Sequence, residues 1–109
     1  MKSEQIKIDI SLDENHVPEN ITWSASENQK SAEAKALILG VWDKSEQNAM
    51  RIDLWTKEMQ VDEMKQFVHQ TLLTLADSFE RATNEKPMAD TMRDFCDYFA
   101  EKMNIKAPI

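Results

Sequence analysis

The 109-residue sequence predicts an α+β domain: a four-stranded antiparallel sheet of two hairpins, followed by two C-terminal helices packed on one face. Three observations carry that prediction. Apolar and polar residues alternate through the early segments, at 6–12, 20–24 and 50–54. After residue 57 the apolar period lengthens to three and four residues. Pro87 then divides the helical part in two.

Each element follows from its residues. Ile6, Ile8, Ile10 and Leu12 alternate with Lys7, Asp9 and Ser11, the pattern of a strand with one buried and one wet face. Asp13-Glu14-Asn15-His16-Val17-Pro18 has turn chemistry, because short Asx side chains bond nearby backbone and Pro18 lacks a donor. Ile21 and Trp23, alternating with Asn20, Thr22 and Ser24, complete a hairpin. Residues 25–33 are the most polar stretch and read as a loop. Ala32-Glu33-Ala34-Lys35-Ala36 has helix propensity, so 25–36 stays open between a loop, a short helix and a cover over the outer sheet face. Leu37 to Trp42 is apolar on both parities, as a central strand would be. Lys44 to Asn48 makes a turn, and Met50, Ile52 and Leu54 alternate with Arg51, Asp53 and Trp55 to close the second hairpin.

Val61, Met64, Phe67, Val68, Thr71, Leu72, Leu75 and Phe79 recur at helical spacing and predict a helix near 61–82. Pro87 suits the first turn of the next, near 88–104. There Met88, Met92, Phe95, Phe99 and Met103 form one stripe, with Asp90, Asp94, Asp97 and Glu101 opposite. No linker or repeat interrupts the chain, so 1–109 reads as a single domain.

Composition narrows the function classes. Twenty acidic and thirteen basic residues give a net charge of −7, which repels phosphate backbones and anionic headgroups. Nucleic acid is therefore not an expected partner. No stretch has the length of a signal-peptide core or a membrane span, so the expectation is a cytoplasmic protein without direct membrane insertion. The lone Cys96 excludes an internal disulfide and a cysteine zinc site. Set between Phe95 and Asp97 in a helical pattern, it reads as a small buried or half-buried apolar residue. The lone Gly40 excludes a glycine-rich phosphate loop and a dinucleotide fingerprint. His16 and His69 belong to no His-Glu-x-x-His arrangement. The acidic stripe spreads its charges along one helix face instead of converging on a cation, and reads as solvated surface. Met64, Met88, Met92 and Met103 sit on apolar stripes, where thioethers are ordinary core filler. The expectation is a protein without catalytic residues, cofactor or metal.

Parity exposes one further feature. If Leu37, Leu39 and Val41 share a face with Met50, Ile52 and Leu54, the opposite face carries Ile38, Gly40, Trp42, Arg51, Asp53 and Trp55. Two helices cover only one face of a sheet. Ile38, Trp42, Arg51 and Trp55 are therefore the candidate partner-binding residues, with Arg51 placed for a cation–π contact. The competing reading is that 25–36 folds over this face.

The whole chain resembles the gliding motility-associated protein C family (GldC) of Bacteroidetes. The resemblance rests on Asp13-Glu14-Asn15, Val17-Pro18-Glu19 and Trp23-Ser24, then on Val41-Trp42-Asp43 and Arg51-Ile52-Asp53-Leu54-Trp55-Thr56-Lys57. Val61-Asp62-Glu63-Met64-Lys65-Gln66-Phe67 and Asp94-Phe95-Cys96-Asp97-Tyr98-Phe99-Ala100-Glu101-Lys102 are the most telling words. It implies a small soluble accessory protein of the gliding machinery, and it brings no established catalytic residues. The expected function is a non-catalytic protein-interaction module, binding partners of the gliding or associated secretion machinery or self-associating. The alternative is a holdase for exported or unfolded chains, similar in outline to the SecB chaperone.

Overall fold

A computed structural model describes residues 2–25 and 30–106. It contains β1 (Lys7–Leu12), β2 (Pro18–Ser24), β3 (Ala32–Ala34), β4 (Ala36–Asp43), β5 (Asn48–Trp55), α1 (Val61–Thr83) and α2 (Lys86–Lys102). The class is α+β with two C-terminal helices, as the periodicity predicts. The single four-stranded sheet is not found: the strands form a three-stranded sheet, β1-β2-β3, and a two-stranded one, β4-β5. Strands and helices make separate compact units, Met1–Met59 and Gln60–Ile109.

In the first sheet β1 and β2 are antiparallel, with Ile8 opposite Trp23 and Ile10 opposite Ile21. The connecting turn is organised by Asp13, whose Oδ1 accepts from the amides of Asn15 at 2.8 Å and Val17 at 3.0 Å. These bonds supply the partners that a tight turn denies its own backbone. Ile21 is fully buried and is the largest side chain at the centre of this unit.

Ala32-Glu33-Ala34 corrects the helical reading of 25–36, of which 26–29 lie outside the described residues. It is a strand on the free edge of β2, pairing Ala32 with Trp23, Glu33 with Thr22 and Ala34 with Ile21. Three residues are too few to nucleate a helix, while each pairing satisfies backbone groups of β2. Local propensity loses to that demand.

Lys35 alone separates β3 from β4, and there the chain leaves one sheet for the other. Its carbonyl accepts from the Thr56 amide at 2.8 Å and the Thr56 hydroxyl at 3.2 Å, so the residue after β5 is bonded to the joint. Thr56 is buried, and Lys57 beside it forms an ion pair with Asp13 of the β1–β2 turn. These contacts join two sheets that share no ladder.

The β4–β5 hairpin pairs Leu37 with Leu54, Leu39 with Ile52 and Val41 with Met50. Its turn is closed by Asp43, whose Oδ2 accepts from the Glu46 amide at 2.7 Å. The expectation that β4 is a central strand is overturned, since β5 is its one ladder partner among the described residues. Its apolar character on both parities instead marks a ribbon with two apolar faces. Leu39, Val41, Met50 and Ile52 are exposed on one, Ile38, Trp42 and Trp55 on the other.

In the helical unit, the Gln60 amide donates to Glu63 Oε1 at 3.0 Å, half of a capping box, and Asp62 and Glu63 complement the helix dipole at the start of α1. α1 ends on Asn84 in the left-handed region (φ 58°), a conformation asparagine tolerates well. The short link Asn84–Glu85 turns the chain back, with Pro87 in the first turn of α2. Ala76 of α1 and Ala89 and Cys96 of α2 are buried. Small side chains at these points let the helix backbones approach. Met88 and Phe95 of the expected stripe stay half exposed or more, so the buried line lies one residue further along α2.

Candidate functional site

The four predicted binding residues fall on one face of the β4–β5 ribbon. Gly40 pairs with Arg51 and Ile38 with Asp53, while Trp42 pairs with Ala49 and Trp55 with Ala36. Alternation then puts Ile38, Trp42, Arg51 and Trp55 on the side opposite Leu37, Leu39, Val41, Met50, Ile52 and Leu54. The predicted parity is the observed one. Trp42 is 69% exposed and Trp55 56%, although indole is among the costliest surfaces to leave in water.

Arg51 does not take the cation–π position. Its Nε lies 3.6 Å from Asp53 Oδ2, on the same strand and face. The reason is local: two side chains two residues apart on a strand point the same way, and opposite charges draw together. The site therefore carries a neutral pair between its aromatic ends. Gly40 sits among them, and a Cβ built on it would meet no atom within 4 Å. Among the described residues nothing requires a glycine there.

Among the described residues no group of three or more His, Cys, Asp or Glu side chains gathers as a metal site requires. The Cys96 thiol is buried and its pKa is pushed up by burial, assisted by the nearby Asp97, which suppresses the nucleophilic thiolate. His69 stacks on Phe99 with ring centroids 6.1 Å apart. An apolar cleft of about 240 Å³ lies between Leu72, Thr91, Met92, Phe95 and Cys96 and presents no converging polar groups.

The acidic stripe is only partly a solvated face. Asp90 accepts from Lys86 Nζ at 3.0 Å and from Arg93 at 2.9 Å, which holds its carboxyl below the usual range, Lys86 contributing most. Arg93 also bonds Asp77 at 2.9 Å and Glu80 at 2.8 Å across the helix pair, and those carboxylates keep it firmly charged. This clamp, like the Asp13–Lys57 pair, escaped the sequence reading. The signal for it was an arginine three residues after an aspartate on a helix, but its partners on α1 depend on how the helices pack.

Among the described residues no helix is long and apolar enough to cross a membrane. Neither the curated proteins nor the solved structures contain a match to this chain. A family model described as gliding motility-associated protein GldC-like matches residues 18–105, from the first residue of β2 to beyond α2. That span covers most of the sequence, including the whole tryptophan face, and the chain belongs to the gliding motility-associated GldC-like family.

Proposed function

We propose that this gliding motility-associated protein acts as a non-catalytic protein-interaction module whose contact face is Ile38, Trp42, Arg51 and Trp55. The observation that carries the reading is the pair of tryptophans more than half exposed on one side of a two-stranded ribbon. Isolated ribbons of two strands are marginal in water, and a ribbon rich in apolar side chains gains most from being covered. Tryptophan and arginine are also the side chains that dominate binding energy at protein contacts.

The test is restoration of gliding in a bacterium lacking this protein. The wild-type chain is expected to restore spreading on agar. A Trp42→Ala, Trp55→Ala double variant, present at the same abundance, is expected to fail. Full restoration by the double variant would overturn the reading. A second measurement separates the chaperone class: suppression of aggregation of many unrelated denatured clients would replace a specific contact by a general holdase.

A further inference from the structure

The tryptophan face has a hidden regularity in its ladder. Read along the ribbon, its rows are Ala36 with Trp55, Ile38 with Asp53, Gly40 with Arg51, and Trp42 with Ala49. The first row mirrors the last, and the second mirrors the third, with size and charge exchanged. Consider a two-fold axis lying in the contact plane, running across the strands between the two middle rows. A half-turn about it lays the face on a second copy of itself. Trp42 then lies over Ala36 of the second copy and Trp55 over its Ala49. Ile38 lies over the gap at its Gly40, and Arg51 meets its Asp53.

We infer that the β4–β5 hairpin closes a symmetric dimer by packing this face on a second copy of the chain. The inference rests on the reading of the face as a contact surface and names what occupies it. A contact about a two-fold axis demands a self-complementary patch, in which each residue i meets j while j meets i. Well-packed sheets set large side chains against small ones across the gap between them. Here every row obeys both conditions. The structure also explains the glycine: Gly40 leaves open space inside its own chain, and that space is what Ile38 of a second copy would fill.

Area and charge agree with this occupant. The exposed parts of the two tryptophans amount to about 300 Å², and Ile38, Arg51 and Asp53 bring the face to about 600 Å², the lower end of a standard specific interface per partner. A chain of net charge −7 repels its own copies, so self-association needs a locally neutral meeting point. Residues 36–55 carry Asp43, Glu46 and Asp53 against Lys44 and Arg51, so most of the excess charge lies elsewhere.

Sedimentation of the full-length chain tests the inference. The wild type is expected to pass from monomer to dimer within the micromolar range. Arg51→Asp and Asp53→Arg each set like charges face to face, and each is expected to weaken the dimer at least ~30-fold. Mixing these two variants, or combining both changes in one chain, is expected to restore dimers, because opposite charges then meet again. Gly40→Val is expected to fold at least as well as wild type, since its Cβ has room and a β-branched residue favours a strand. It should nevertheless block dimerisation by filling the place of Ile38. A wild type that stays monomeric to about 100 μM, or single variants that dimerise like wild type, would overturn the second copy as occupant. So would a mixture that stays monomeric, or an unaffected Gly40→Val dimer. None of these results bears on the gliding assay above, where loss of spreading in the tryptophan variant would still uphold a contact with a different protein.

Discussion

Replacing Trp42 by alanine removes the most exposed indole of the ribbon while leaving its ladder intact. The side chain is 69% exposed, so only about 80 Å² of a ring system of ~250 Å² is covered within the chain. Alanine retains part of that, leaving about 50 Å² lost, which at ~25 cal/mol per Å² is about 1 kcal/mol. A compact unfolded state lowers the figure further. Association should respond more strongly, since truncating a tryptophan that anchors a contact typically costs about 2 kcal/mol, or ~30-fold in Kd. Urea unfolding followed by circular dichroism measures the first quantity, and sedimentation of wild type and variant measures the second. A stability loss above ~3 kcal/mol, the range of a buried aromatic, with unchanged association would show that Trp42 is core and would refute the argument.

Further expectations follow from other parts of the molecule. Ile21→Ala deletes a fully buried side chain; three lost carbons at ~0.8 kcal/mol each plus a small cavity give about 3 kcal/mol, readable as a drop in urea midpoint. Asp13 is held below its ordinary 3.8 chiefly by Lys57 and by the Val17 amide, so its contribution is present above that value and is lost as pH falls through the depressed one. Lys57 is held above its ordinary 10.5 by Asp13, so its contribution is present below that value and is lost as pH rises through the elevated one. Thermal melts across pH should show both slopes, and Asp13→Asn should weaken both without abolishing either, since Glu19 and buried Cys96 still act on the alkaline side and Asp90 on the acid side. Cys96 should react with a thiol reagent orders of magnitude faster in denaturant than in the native chain; equal rates would contradict its burial.

Periodicity made most of the fold legible, because burial on one side writes itself into the sequence at spacing two or three to four. Both helices and three of the strands were visible for that reason, while β4 showed as a short run apolar on both parities. β3 was not, because Ala32-Glu33-Ala34 has small side chains, and its conformation is dictated by the unpaired edge of β2. The division into two sheets was equally hidden. It depends on which backbone groups bond across Lys35 and Thr56, and main-chain partners leave no trace in side-chain pattern. At the candidate site, parity placed Ile38, Trp42, Arg51 and Trp55 on one face, since any antiparallel register preserving one face preserves the other. The partner of Arg51 was misjudged because a carboxylate two residues away was weighed less than the aromatic rings. The Asp13–Lys57 pair joins segments far apart in sequence, and no local rule could bring them together.

The single residue between β3 and β4 has an arithmetic consequence. The chain bends there, and the Lys35 carbonyl takes both the amide and the hydroxyl of Thr56, so the ribbon's two strands start and finish at one tied point. With that base fixed, the two faces persist only while β4 and β5 stay matched in length. One residue added within β4 would send every side chain between it and the turn to the other face and part Trp42 from Trp55, whereas two would restore the original sense. Chain length between the tie and the turn, and not the identity of any side chain, therefore governs whether the two tryptophans share a side.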